Sequence, residues 1–214
     1  MKKKTEKLLE VLTAQPVIPV LRIDRLADAV PLARALAKGG LPAIEITLRT
    51  PDALEAIRQV AEEVPEAIVG AGTILSAKDF SRAEDAGARF IVSPGATADL
   101  LEKAEDARVP FLPGAVTPSE VMALREAGYR VLKFFPAEQA GGAAFLKSLA
   151  APLADMRFCP TGGISSKNAT DYLSLPNVVC VGGSWVAPEA ELKAGNWEAV
   201  ENLARKAAAL GRGA

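Results

Sequence analysis

Short runs of β-branched and aromatic residues alternate along this chain with longer stretches whose apolar positions recur at helical spacing. The pattern predicts strands over Val17 to Arg22, Ala43 to Arg49, Ile68 to Thr73, Phe90 to Pro94 and Pro110 to Gly114. It continues with strands over Val131 to Pro136, Met156 to Gly162 and Val178 to Ser184. Between them lie helical segments such as Leu26 to Lys38, Pro51 to Glu63 and Pro118 to Ala127, and Glu6-Lys7-Leu8-Leu9-Glu10 predicts an amphipathic helix before the first strand. Gly39-Gly40, Ala86-Gly87 and Ala127-Gly128 carry the glycine that ends helices. Eight strands with helical crossovers imply parallel pairing, and eight is the number that closes a (β/α)8 barrel. A doubly wound open sheet is the alternative. The count, and the polar residues at strand C-termini, favour an α/β single-domain TIM barrel over residues 1–214, with an N-terminal helix. The tail Gly211-Arg212-Gly213-Ala214 reads as loose.

Period-2 parity sorts the polar residues. Across Ala43 to Arg49, the odd positions put Glu45, Thr47 and Arg49 on one face, and the even ones put Ile44, Ile46 and Leu48 on the other. The apolar face suits packing against helices, so the polar face points into the barrel. A structural Glu–Arg pair would give the same pattern. In Val131 to Pro136, parity groups Lys133 with Val131 and Phe135, so Lys133 and Glu45 can share one interior. Burying an ammonium favours the neutral amine, and a neutral lysine is a nucleophile toward ketones and aldehydes. The plainer possibility is a stem that snorkels until its head reaches water.

Glycine-rich strand ends add a third element. Pro160-Thr161-Gly162-Gly163-Ile164-Ser165 precedes a helix that Ser165 or Ser166 could cap, and Val181-Gly182-Gly183-Ser184 ends the last strand. Consecutive glycines let N–H groups converge on an anion, and strands seven and eight are where barrels hold phosphate. Tight βα turns want glycine too. Gly70-Ala71-Gly72-Thr73 ends strand three in the same manner, with Thr73 a possible donor to a carboxylate.

The chain contains no histidine, which removes Ser-His-Asp and Cys-His hydrolysis and histidine-based zinc sites. Acid–base work must fall to carboxylates, lysine, tyrosine, cysteine or water. Cys159 and Cys180 sit in apolar strands without metal-ligand spacing and read as reduced core residues. A net charge of −1 gives no reason to expect nucleic acid or an anionic membrane. No apolar signal region follows the basic Met1-Lys2-Lys3-Lys4, and no run approaches a membrane span, so a cytoplasmic location is the default.

Four segments together resemble the 2-keto-3-deoxy-6-phosphogluconate (KDPG) aldolases: Glu45-Ile46-Thr47-Leu48-Arg49, Gly70-Ala71-Gly72-Thr73, Lys133-Phe134-Phe135-Pro136-Ala137-Glu138 and Arg157-Phe158-Cys159-Pro160-Thr161-Gly162-Gly163-Ile164. The resemblance runs from about Pro16 to Ala209. It implies a class I aldehyde-lyase of the Entner–Doudoroff pathway, on a (β/α)8 barrel and homotrimeric, with no metal and no cofactor. By the resemblance, Lys133 would form the Schiff base and Glu45 would be the general acid/base. Arg49 and Thr73 would hold the carboxylate of pyruvate, while Pro94, Phe135 and Thr161 line the site. Gly162, Gly163 and Ser184 would receive the phosphate of the keto acid, with Arg22 reaching it from strand one. The rivals are an aldolase of the same family for the galactonate epimer or 4-hydroxy-2-oxoglutarate, a phosphosugar isomerase or epimerase, and a trimeric structural scaffold.

Overall fold

A computed structural model describes residues 2–211; Arg212, Gly213 and Ala214 of the expected loose tail lie outside the described residues. The helices are α1 (Lys2–Thr13), α2 (Ala29–Lys38), α3 (Ala53–Glu63), α4 (Ala77–Asp85), α5 (Ala98–Asp106), α6 (Pro118–Glu126), α7 (Gly142–Ser148), α8 (Ala169–Leu173), α9 (Glu189–Ala194) and α10 (Trp197–Ala208). The strands are β1 (Val17–Leu21), β2 (Ala43–Thr47), β3 (Ile68–Gly72), β4 (Ile91–Val92), β5 (Phe111–Leu112), β6 (Gly114–Ala115), β7 (Val131–Phe134), β8 (Arg157–Pro160) and β9 (Val181–Gly183). Every pairing between them is parallel.

Two sheets, β5-β4-β3-β2-β1-β9 and β6-β7-β8, make one barrel. At one seam β5 and β6 are halves of a single predicted strand. Pro113 separates them because it has no N–H for the ladder. At the other seam, parallel bridges Phe158–Val178 and Thr161–Gly182 join β8 to the chain running into β9. The cyclic order is that of an eight-stranded (β/α)8 barrel.

Parity holds around the ring. Ile44, Ile46, Val69, Ala71, Leu132, Phe134 and Phe158 point outward into a layer shared with the helices. Ile18, Ala43, Phe90, Val92, Leu112, Val131, Cys159 and Cys180 fill the lumen. Leu8 and Leu12 of α1 join that inner cluster, so the predicted N-terminal helix plugs the floor. The Lys4 ammonium donates to the Ala104 and Glu105 carbonyls at 2.8 and 2.7 Å and ties the plug to the end of α5. Gly40, Gly87 and Gly128, which follow α2, α4 and α6, hold the positive φ that a helix-ending glycine supplies. Among the described residues, no helix is long and apolar enough to cross a membrane.

Three expectations need correction. Seven of the eight predicted strands end earlier than expected: β2 stops at Thr47, where the Arg49 amide bonds the Thr47 carbonyl at 2.8 Å and turns the chain off the ladder. Arg49 is therefore exposed at the mouth, not directed into the lumen. Ser165 and Ser166 do not cap a helix. The Ser165 amide instead donates to Asn168 Oδ1 at 2.7 Å, a turn that delays α8 until Ala169.

Candidate active site

The deepest polar pair joins β2 to β7 across the lumen. Lys133 Nζ donates to Glu45 Oε1 at 3.2 Å, with side chains 6% and 4% exposed. Register explains how so much polarity fits: Glu45 lies opposite Gly70, Thr47 opposite Gly72, and Lys133 between Gly114 and Cys159. A Cβ at Gly72 would stand 1.9 Å from Glu45 Oε1, and one at Gly70 would strike the Phe90 ring at 2.4 Å. Those glycines are the space the carboxylate and the ring occupy. Sequence reasoning grouped these glycines with the glycine-rich strand ends that could receive an anion. Parity applied to strand three would have put both in the lumen.

Phe135, the next inward position after Lys133, sets its ring 5.5 Å from Nζ, within the range of a cation–π contact. It precedes a cis bond to Pro136. Pro94 is half-buried where β4 ends, and Gly114 lets it approach, since a Cβ there would meet the Pro94 carbonyl oxygen at 2.1 Å. Thr161 is buried on the inward face beyond Cys159, and its hydroxyl uses space left by Gly182. Thr73 adopts φ +58 just past β3. A β-branched residue in the left-handed region costs about 1–3 kcal/mol, and such strain concentrates at functional sites.

Above this buried layer a cleft of about 390 Å³ opens at the C-terminal ends of β1, β2 and β9. Arg22, Arg49 and Ser184 line it, together with Trp185 and Glu189. Arg49 reaches back so that its Nε donates to Thr47 Oγ1 at 2.8 Å. Arg22 is 59% exposed and paired with Asp24 at 2.8 Å, so its guanidinium is held at the rim. Glu189 is also held below the ordinary carboxylate range, mainly by its hydrogen bond from Lys193, with a smaller contribution from the Arg22 charge.

The two glycine pairs differ in kind. Gly162 and Gly163 have φ of +104 and +75 and form a turn only glycine adopts readily. Its carbonyls are engaged, Gly162 O by the Glu138 amide at 3.1 Å and Gly163 O by Asn168 Nδ2 at 3.2 Å. Gly182 and Gly183 lie inside β9 and serve space, because Cβ atoms there would strike Thr161 Oγ1 at 2.3 Å and the Trp185 ring at 1.7 Å. Behind the Gly162-Gly163 turn, the Tyr172 hydroxyl donates to Glu138 Oε1, a pair that sequence reasoning missed. Burial, and then that carboxylate, push the Tyr172 hydroxyl well above the usual phenol range.

The site thus offers an amine beside a carboxylate in a buried lumen, beneath a cleft that carries Arg22, Arg49, Asp24 and Glu189, at the end of the barrel where such folds carry their chemistry. Solved structures share the fold. A KDPG aldolase from Legionella pneumophila, with pyruvate captured at low pH as a covalent carbinolamine intermediate, superposes with a TM-score of 0.92 and is 44% identical, covering 94% of this chain and 98% of its own. The 2-keto-3-deoxy-6-phosphogluconate aldolase of Zymomonas mobilis ZM4, with 3-phosphoglycerate, gives a TM-score of 0.93 at 46% identity, covering 97% and 98%. Among characterised sequences, the 2-dehydro-3-deoxy-phosphogluconate aldolase of Pseudomonas aeruginosa is 50% identical over 207 residues, 97% of this chain and 94% of that protein. The model of the KDPG and KHG aldolases, KHG being 4-hydroxy-2-oxoglutarate, matches residues 8–203. With that match running from the floor helix into α10, this chain belongs to the KDPG and KHG aldolase family.

Proposed function

We propose that this protein is a class I aldolase cleaving 2-keto-3-deoxy-6-phosphogluconate to pyruvate and glyceraldehyde 3-phosphate through an imine on Lys133. The observation that carries the reading is the buried Lys133–Glu45 pair, 3.2 Å apart at the C-terminal end of the lumen. Glu45 is within reach to take a proton from the Lys133 ammonium, and the resulting amine adds to the C2 ketone of the keto acid. Glu45 returns that proton to the carbinolamine hydroxyl, which leaves as water, so that Glu45 is again a carboxylate and C2 becomes an iminium, an electron sink next to C3. Glu45, through a water, takes the C4 hydroxyl proton. The C3–C4 bond then breaks, its electrons pass into an enamine, and the aldehyde departs. Protonation at C3 and hydrolysis release pyruvate and regenerate the amine. The Legionella relative, with its covalent pyruvate carbinolamine, supports the first half of this sequence.

The remaining roles follow position. Arg49 at the cleft and strained Thr73 would hold the pyruvyl carboxylate, and Pro94, Phe135 and Thr161 would wall the reacting carbons. The positive-φ turn Gly162-Gly163, exposed Ser184 and rim Arg22 would take the phosphate. The family covers both KDPG and KHG, so 4-hydroxy-2-oxoglutarate, with a carboxylate on C4 in place of the phosphate-bearing arm, is the second substrate to assay. Residues 1–214 would act as one domain. The Cys180 thiol donates to Cys159 Sγ at 3.4 Å, and a reducing, cytoplasmic setting would keep the two thiols reduced. A homotrimer is expected from the family, and a monomer by light scattering would refute it.

The functional test is pyruvate release from KDPG. Wild type should release it, Lys133→Met should not, and Glu45→Gln should turn over about 10²–10⁴-fold more slowly, the usual worth of a general base. Undiminished turnover by Lys133→Met would end the proposal.

A further inference from the structure

Thr47 is 2% exposed and sits at the last inward position of β2. Its hydroxyl donates to the Leu21 carbonyl at 2.8 Å, which commits the single proton it has. One of its two lone pairs accepts from Arg49 Nε at 2.8 Å. The main chain repeats the tie, because the Arg49 amide bonds the Thr47 carbonyl at 2.8 Å. An exposed arginine two residues past the end of a strand would ordinarily sample many rotamers. This one is fastened at both its amide and its Nε to one buried threonine, itself fastened to β1. With Nε engaged, the edge of the guanidinium left to a ligand is the pair of terminal nitrogens, the fork that matches a carboxylate in bidentate fashion.

The geometry points to Thr47 as a positioning residue that sets Arg49 for the carboxylate of a 2-oxo acid. This rests on the aldolase reading above and adds a residue to it. Thr47 does not touch the reacting atoms. It converts a mobile surface cation into an oriented one, and so should govern how strongly the site prefers a ketone with an adjacent carboxylate to one without.

The test compares borohydride trapping on Lys133 by pyruvate and by acetone. Thr47→Val keeps the shape and deletes the acceptor. It should raise the pyruvate concentration needed for half-maximal trapping about tenfold, as expected for losing one oriented charge-assisted contact, and leave acetone trapping as in wild type. Thr47→Ser should restore the pyruvate value. In an Arg49→Ala background, adding Thr47→Val should change nothing further. If Thr47→Val does not fold, Thr47→Ala and Thr47→Ser differ by the hydroxyl and report the same contrast. Wild-type pyruvate trapping in the hydroxyl-less variant, or equal losses with both ketones, would overturn the assignment. A wild-type protein that traps neither ketone would overturn the aldolase reading, and the role of Thr47 with it.

Discussion

Removing either member of the buried pair Lys133 and Glu45 would strand the other, a loss of about 3–5 kcal/mol for an uncompensated buried charge. The pair persists because glycine stands opposite it. Gly72→Ala should therefore act as a catalytic lesion, since the new Cβ would fall 1.9 Å from Glu45 Oε1 and displace the carboxylate. Overpacking of this kind costs about 1–3 kcal/mol, so the variant should stay folded while KDPG turnover drops at least about tenfold. A Gly72→Ala enzyme with wild-type kcat would show that Glu45 need not occupy its observed place. At this scale Lys133 and Glu45 were legible, because alternation alone assigns them to one lumen. The link from Thr47 to Arg49 was not. It depends on β2 ending at Thr47 and the chain doubling back, which an unbroken alternating pattern through Arg49 conceals.

The elements around the barrel are set by their ends. Ser76, Thr97 and Thr117 cap α4, α5 and α6 by accepting from Asp79, Leu100 and Glu120 amides. At α6 the Glu120 carboxylate completes a capping box, accepting from the Thr117 and Val116 amides at 2.7 and 2.9 Å. Those hydrogen bonds, the Thr117 amide first, hold the Glu120 carboxyl below its ordinary value of 4.5. A depressed folded pKa means the unfolded chain binds the proton more readily. The stabilisation from Glu120 is then fully present above pH 4.5 and fades as pH falls through the folded value. Thermal melts should show Glu120→Ala less stable than wild type at pH 7, with the gap closing in more acidic buffer. A gap independent of pH would refute the assignment. Thr117→Ala should cost about 1 kcal/mol. Helices were readable from apolar spacing and glycine stops, but strand ends were not. Gly182 and Gly183 resembled a phosphate-binding turn in sequence yet lie extended in β9, because the side chains that need their space, Thr161 and Trp185, come from another strand and from beyond the strand's end.

Across the whole molecule, chemistry and floor occupy opposite ends of one barrel. Leu8 and Leu12 of α1 close the N-terminal end of the lumen, while Glu45 and Lys133 stand toward the other. Leu12 is fully buried, so Leu12→Ala should destabilise by about 2–5 kcal/mol without changing the KM for KDPG below its melting transition. A shifted KM with unchanged melting would mean the floor communicates with the site. The barrel was legible because eight parallel units have few other closures. Its seams were not, since Pro113 and the sparse β8–β9 bridges leave no mark that the pattern distinguishes from ordinary strand ends. What unites the account is that Lys133 becomes covalently joined to a 2-oxo acid, and borohydride reduction in the presence of pyruvate, followed by peptide mass mapping, tests it most directly. The account predicts a reduced pyruvyl adduct on Lys133; an unmodified Lys133 in folded protein, or an adduct on another lysine alone, would contradict it.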